Sequence, residues 1–156
     1  MVGDLTAKHV MTSIKTCSSE AQILGIETAY DVWPEADTTT TEEPAEVVDQ
    51  KVKMTHGVLD DTSLTCVTTD IAEGVSVSGI LIYYNTATGI TRMKVALTDK
   101  SVATLGPSNG NKSTSLINYN TTFPRFFGFA TQNGTVNNVE TLIGLGLVGS
   151  DDASCL

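Results

Sequence analysis

Two neighbouring segments decide the fold class of this chain: VSVSGILIYY at residues 75–84 and ITRMKVALT at residues 90–98. In the second segment every other residue from Met93 to Leu97 is apolar, and the residues between them are polar or small. This two-residue period is typical of a strand with one buried and one solvated face. Because the intervening NTATG at residues 85–89 has the composition of a turn, the two segments predict a β-hairpin.

Further strands are predicted on both sides of this hairpin. Residues 24–33 alternate between two sets of side chains, which favours a strand over the alternative of a short helix capped near Ser18. Towards the C-terminus, segments 126–134 and 141–148 are predicted strands, and the dipeptide Asn133-Gly134 predicts a hairpin turn between them. Additional strands are predicted at residues 10–17, 48–54 and 64–68. The expected class is all-β.

The length and composition of the chain are those of one globular domain. A chain of 156 residues is long enough to bury a core of its own. Hydrophobic residues make up 40% of it and charged residues only 17%, which excludes a disordered chain. We therefore expect a single domain over residues 1–156.

The net charge of −9 restricts the class of partner. Nine Lys and Arg residues scattered along the chain provide no basic footprint, so we expect neither nucleic acid nor an anionic membrane as a ligand. Residues 31–49 contain seven acidic residues and no basic one. This segment is either a solvated loop or a calcium-binding patch. Calcium binding would be weak, because the acidic residues do not have the spacing of a calcium-binding loop.

The three cysteines, Cys17, Cys66 and Cys155, are an odd set, so they cannot all pair within one chain. Each is either a buried structural thiol or part of a disulfide, and their spacing matches no metal motif. We expect a secreted, extracellular protein that forms a homodimer, with one cysteine bridging two copies. The start of the chain lacks the basic and apolar pattern of a secretion signal, so a cytosolic chain and a mature secreted terminus both stay open.

No catalytic motif is present in the sequence. It contains no Gly-x-Ser-x-Gly elbow and no phosphate-binding Gly-rich loop, and the two histidines, His9 and His56, are far apart. The adjacent acids Asp60-Asp61 do not have the arrangement of two carboxylates across a cleft that glycoside hydrolysis needs. We expect no enzyme activity and no cofactor.

The order of the segments resembles the second half of the jacalin-related lectin domain. The shared features are the hairpin strand, the alternating charged strand, the Leu105-Gly106-Pro107 turn, the aromatic strand and the final Ile-Gly strand, and the GVLDD string at residues 57–61 resembles a stretch near the start of such domains. The resemblance implies a β-prism of three antiparallel Greek-key sheets. It also implies binding of mono- or disaccharides on loops at one end of the prism, without chemical change.

The same resemblance, together with the polar decapeptide QNGTVNNVET at residues 132–141, points to the binding residues. Paired donors and acceptors in such a stretch suit sugar hydroxyls. In the family an Asp accepts bonds from the sugar; here Thr141 stands at that place and Glu140 is the nearest carboxylate. A solvated hairpin is the alternative for this stretch. The predicted carbohydrate-binding residues are Tyr84, Asn85, Asn133, Gly134, Asn137, Asn138, Glu140 and Thr141.

A second function class stays open at the level of sequence. Acidic jacalin-like proteins occur in molluscan shell matrices, so the acidic segment at residues 31–49 is also consistent with a matrix protein that binds calcium carbonate or a matrix polysaccharide. In the lectin interpretation, one shallow site binds weakly, and a dimer would gain affinity for multivalent glycans.

Overall fold

The computed structural model describes residues 8–33, 50–85, 87–107, 115–120, 125–136 and 138–150. Within these ranges the regular structure consists of strands, so the all-β expectation is confirmed. No helix of the described residues is long and apolar enough to cross a membrane. The strands are β1 (Lys8–Ser18), β2 (Ile23–Trp33), β3 (Gln50–Gly57), β4 (Thr65–Asp70), β5 (Val77–Asn85), β6 (Gly89–Leu97), β7 (Val102–Leu105), β8 (Ser115–Asn120), β9 (Arg125–Val136) and β10 (Val139–Ser150).

The strands form three antiparallel sheets. Sheet 1 has the order β3-β2-β1-β4, sheet 2 the order β7-β6-β5-β8, and sheet 3 pairs β10 with β9. In sheets 1 and 2 three consecutive strands form a meander and the fourth returns beside the first, which is the Greek-key arrangement. The predicted β-prism of three antiparallel sheets is therefore confirmed.

The core lies between the three sheets and takes alternate residues from their strands. On β6 the apolar set of Met93, Val95 and Leu97 is buried, as the alternation predicts. On β2 the expected strand is present in place of the alternative helix, and Ile26 and Tyr30 are buried on one face. Sheet 3 contributes Leu142, which is 0% exposed. The buried cluster comprises Met11, Ile14, Ile23, Ile26, Tyr30, Ile71, Val77, Ile80, Ile82, Ile90, Met93, Val95, Leu97, Leu105 and Leu142.

The predicted hairpin turn at Asn133-Gly134 is wrong. Both residues lie inside β9, and the ladder continues until Val136 faces Val139. The connection is therefore the pair of residues 137–138, where Asn138 has a φ of +64°. Asparagine tolerates this left-handed conformation. Thr135 and Val136, which follow the Asn-Gly dipeptide, are β-branched and therefore favour continuation of the strand.

A disulfide joins Cys17 of β1 to Cys66 of β4, which face each other in the register of sheet 1. The expectation of a disulfide is confirmed, and this one lies within a single chain. Cys155 lies outside the described residues, as does the acidic segment at residues 34–49. Among the side chains that the structure describes, no group of three or more His, Cys, Asp or Glu residues could hold a metal ion.

Candidate functional site

The hairpin between β5 and β6 is organised by the side chain of Asn85. Its Oδ1 accepts a hydrogen bond from the backbone N–H of Ala87 at 2.8 Å, and its carbonyl oxygen accepts one from the N–H of Thr88 at 3.2 Å. Gly89 completes the turn with a φ of +96°, a conformation that glycine adopts without steric cost. Because the oxygen of Asn85 holds the turn, its amide nitrogen is the group that remains for a ligand.

Two tyrosines precede this turn, and both are half-buried. From the alternation of strand residues we expect one of Tyr83 and Tyr84 in the core and the other outside, and this expectation is wrong. The register shifts between them, because Tyr83 faces Arg92 while Tyr84 faces Ile90. Thr91 is the extra residue, and its buried hydroxyl donates to the carbonyl oxygen of Tyr83 at 3.2 Å. A β-bulge of this kind redirects side chains locally, so Tyr84 keeps an accessible part beside the turn.

Gly106 shows that the first hairpins of sheets 1 and 2 lie at the same end of the prism. A Cβ atom on Gly106 would lie 3.1 Å from side-chain atoms of Ile23 and 3.1 Å from the carbonyl oxygen of Thr91. Ile23 begins β2 and Thr91 is near the start of β6. The turns at residues 19–22 and 85–89 therefore lie on the same side of the molecule, which we call the turn end.

The connection from β3 to β4, residues 58–64, also lies at the turn end. The N–H of Val58 donates to the carbonyl oxygen of Leu24 at 2.9 Å, next to the start of β2. In this connection Asp60 and Asp61 are exposed. The N–H of Ser63 donates to Oδ1 of Asp61 at 2.8 Å, and this bond, with a smaller contribution from the Ser63 hydroxyl, lowers the pKa of the Asp61 carboxyl. This connection therefore adds two exposed carboxylates to the turn end.

The connection between β1 and β2 is also held by hydrogen bonds. Oγ of Ser19 accepts the N–H groups of Ala21 and Gln22, each at 3.3 Å, and the N–H of Ser19 donates to the carbonyl oxygen of Gln22 at 3.0 Å. Ser19 thus fixes a short turn, which leaves Glu20 and Ala21 exposed.

The hairpin of β9 and β10 carries the other predicted residues. Its register places Gly134 opposite Thr141, Thr135 opposite Glu140 and Asn133 opposite Leu142. Asn133 and Asn138 are exposed and Gly134 is half-buried. Glu140 and Thr141 are described by their backbone positions alone, and Asn137 lies outside the described residues. The predicted polar loop is in fact the end of a paired two-stranded ribbon.

The structure thus brings the predicted residues into two groups. Tyr84 and Asn85 belong to sheet 2, whereas Asn133, Gly134, Asn138, Glu140 and Thr141 belong to sheet 3. The sequence prediction missed the turn at residues 19–22 and the carboxylates of Asp60 and Asp61 as members of the turn end. For Asp60 and Asp61 the available signal is the GVLDD string, which the sequence analysis uses only as a resemblance and not as part of a site.

Comparison with known proteins gives a clear result for the fold. No family model matches the chain, and no curated protein matches it. Among solved structures, a crystal structure of jacalin in complex with mellibiose (Gal-alpha(1-6)-Glc) matches with a TM-score of 0.60 and 15% sequence identity, and the match covers 93% of this chain and 98% of that chain. The chain has the jacalin fold. This jacalin-like β-prism is the architecture that the order of the predicted strands implied, and the likeness at this identity is one of fold.

Proposed function

We propose that this jacalin-like protein is a lectin that binds mono- or disaccharides at its turn end and leaves them chemically unchanged. The observation that carries the proposal is the match over 93% of the chain to a protein solved with a disaccharide bound. The turn end of this chain has the polar groups that such binding needs, held on a rigid scaffold of paired strands.

In this proposal five of the predicted residues have a role in binding. The amide nitrogen of Asn85 donates to a sugar hydroxyl, because its oxygen is held by Ala87. The ring of Tyr84 packs against an apolar face of the sugar. The amides of Asn133 and Asn138 supply further donors and acceptors from sheet 3. A carboxylate, Glu140 in this proposal, accepts bonds from adjacent hydroxyls in the place of the family's Asp.

The carboxyl of Asp61 at the turn end is suited to holding its own loop and not to acting as the general acid of a glycosidase. A glycosidase needs a general acid with a raised pKa. The Asp61 carboxyl has a lowered pKa, because it accepts the hydrogen bonds of Ser63. It is therefore ionised at neutral pH and holds its own loop.

We further propose that the protein is a single domain that acts outside the cell. A disulfide such as Cys17–Cys66 persists in oxidising compartments and is rare in the cytosol. Extracellular glycans are then the accessible ligands. The described residues that flank the acidic segment, Trp33 and Gln50, lie at the end of β2 away from the turn end.

A glycan array with the purified protein tests this function, and Asn85→Asp tests the site. Asn85→Asp keeps an oxygen to accept the Ala87 N–H but removes the amide donor, so we expect the turn and the melting temperature to be preserved while sugar affinity falls about 10-fold or more. Lys100→Ala, in the turn at the opposite end of β6, is the matched control and should bind normally.

Three outcomes would count against the proposal. Binding to no glycan, alongside calcium-dependent adsorption to calcium carbonate, would favour the acidic matrix protein instead. Equal affinity of Asn85→Asp and the parent protein would place the site elsewhere. Cleavage of a bound disaccharide, followed by NMR of the sugar, would show an enzyme.

A further inference from the structure

Within the part of the chain that the structure describes, strand β4 leaves one edge of sheet 1 open. Its partner in the described sheet is β1, and the order of the sheet ends at β4. All side chains from Thr65 to Thr68 are exposed, and Val67 is 37% exposed, which makes it one of the two large hydrophobic residues that stand out to solvent in the described chain. An open strand edge with an apolar side chain is a template for pairing with another strand.

The register with β1 shows which backbone groups of β4 face outward. The Cα atoms of Cys17 and Cys66 are 4.1 Å apart, which is the close spacing of a non-hydrogen-bonded pair in an antiparallel ladder. Ile71 donates its N–H to the carbonyl oxygen of Thr12 at 2.8 Å, so the odd-numbered residues of this strand bond to β1. The N–H and C=O groups of Cys66, Thr68 and Asp70 therefore point to the open edge.

Two other described edge strands, β3 and β7, carry features that discourage pairing, whereas β4 does not. Edge strand β3 presents exposed Lys51 and Lys53, and β7 is only four residues long. Residues 65–69 of β4 contain no charge and no proline, and the pairing of β4 with β1 shows no register shift. Lysines, short strands and bulges are the usual devices that protect an edge.

We propose that β4 pairs antiparallel with β4 of a second copy of this chain, across a two-fold axis at Thr68. In this register Thr68 faces the partner's Thr68, and Cys66 faces the partner's Asp70. Cys66, Thr68 and Asp70 then each form two backbone hydrogen bonds with the partner strand, one through the N–H and one through the C=O group. Val67 packs against the partner's Thr69, which covers its exposed surface.

The charge pattern of β4 is compatible with pairing to itself. Its one charged residue, Asp70, meets Cys66 of the partner subunit and not another carboxylate. The interface is small, below the roughly 1,200 Å² of stable complexes, so the dimer belongs to the weak and transient class. Each copy carries a net charge of −9, and salt screens the resulting repulsion, so we expect association to increase with ionic strength.

Such a dimer has a functional consequence that rests on the proposed function. Residue Thr65 is at the turn end of β4, since it faces Ser18 of β1. Antiparallel pairing therefore directs the turn ends of the two copies in opposite directions. The dimer would bridge two separate glycan-bearing surfaces, and it would not bind two sugars of one surface.

Sedimentation equilibrium of the full chain tests the pairing without reference to sugar. For the parent chain we expect a reversible monomer–dimer equilibrium. Thr68→Lys should raise the dissociation constant of the dimer by at least about 10-fold, because it places two ammonium groups close together across the two-fold axis. The control is Val102→Lys on β7, at a residue that is 59% exposed on another edge strand. Val102→Lys should dimerise like the parent chain.

A crosslink checks the register independently of any effect on folding. In a Cys155→Ser background, Thr68→Cys should form a covalent dimer on a non-reducing gel, since the two-fold axis brings the two copies of residue 68 together. Val102→Cys should stay monomeric on the same gel. A chain that is monomeric at all concentrations and salt levels, or a dimer that survives Thr68→Lys while Thr68→Cys fails to crosslink, would overturn the proposal.

Discussion

Two buried threonines on neighbouring strands differ in their hydrogen bonding and therefore in their effect on stability. Thr16 is 1% exposed, and its Oγ1 has no hydrogen-bond partner within the described structure. Thr28 is 3% exposed, and its side chain is hydrogen-bonded to that of Tyr30, which is buried in the core. A buried polar group without a partner costs roughly 1–3 kcal/mol.

We therefore expect opposite results from the same substitution at these two sites. Thr16→Val should raise the free energy of unfolding by about 1 kcal/mol, because it removes a hydroxyl that bonds to nothing described. Thr28→Val should lower it by about as much, because the buried Tyr30 hydroxyl loses a partner. Urea unfolding measures both values. A Thr16→Val variant that is destabilised as much as Thr28→Val would show that the Thr16 hydroxyl is satisfied in solution.

Two exposed aspartates have lowered pKa values for different reasons. Oδ1 of Asp99 accepts the hydroxyl of Ser101 at 2.6 Å and its N–H at 2.8 Å, and the hydroxyl makes the larger contribution to the lowered pKa. For Asp61 the backbone N–H of Ser63 contributes most. Ser101→Ala should therefore raise the pKa of Asp99 more than Ser63→Ala raises that of Asp61.

Carboxyl-detected NMR titration measures both values against the ordinary 3.8 of an aspartate. Because a lowered folded pKa favours the ionised form, the stabilisation from these bonds is present above pH 3.8 and is lost as the pH falls through the lowered pKa. Equal shifts in the two variants would contradict the assignment of causes.

Among the connections between strands, two glycines share one backbone conformation but differ in their surroundings. Gly57 and Gly74 both have a φ of +77°. A Cβ atom on Gly57 would lie 2.1 Å from the carbonyl oxygen of Leu24, whereas a Cβ atom on Gly74 would meet nothing within 4 Å. Both Ala variants carry the strain of the left-handed conformation, about 1–2 kcal/mol, so only the close approach differs between them.

Gly57→Ala should therefore lower the melting temperature well beyond Gly74→Ala. It should also perturb the turn end, since Gly57 holds the connection at residues 58–64 against the start of β2. Differential scanning calorimetry of the two variants gives the comparison. Equal melting temperatures would mean that the chain relieves the contact at Gly57 by a small backbone shift.

Most of the strands and the turn at residues 85–89 could be predicted from the sequence, but several other connections could not. Alternation identified β2 and β6 because most of their inward residues are apolar and pack in the core, such as Ile26 of β2 and Val95 of β6. The hairpin turn predicted at Asn133-Gly134 is wrong because β9 stays paired with β10 beyond this dipeptide. The additional pairing outweighs the local preference of Asn-Gly for a turn. The bulge at Thr91 depends on a contact with Tyr83 that no periodicity reveals.

At the scale of the whole molecule, the order of segments implied the β-prism, and the three sheets confirm it. The partner of Cys17 could not be predicted, because an odd number of cysteines leaves the pairing open until the register of β1 and β4 brings Cys66 opposite. The turn end could not be assembled from the sequence either. It depends on contacts between sheets, such as that of Gly106 with Ile23, which join residues far apart in the chain.

The most direct test of the central claim, that the turn end binds a saccharide, is a two-dimensional NMR titration of the labelled protein with the best glycan of the array. We expect shifts of the backbone amides of Asn85, Ala87 and Gly89 together with those of residues 133–141, while the amides at the opposite end, such as Asp99 and Ser101, stay in place. Saturating sugar that leaves both hairpins unmoved, or that shifts only the opposite end, would contradict the account.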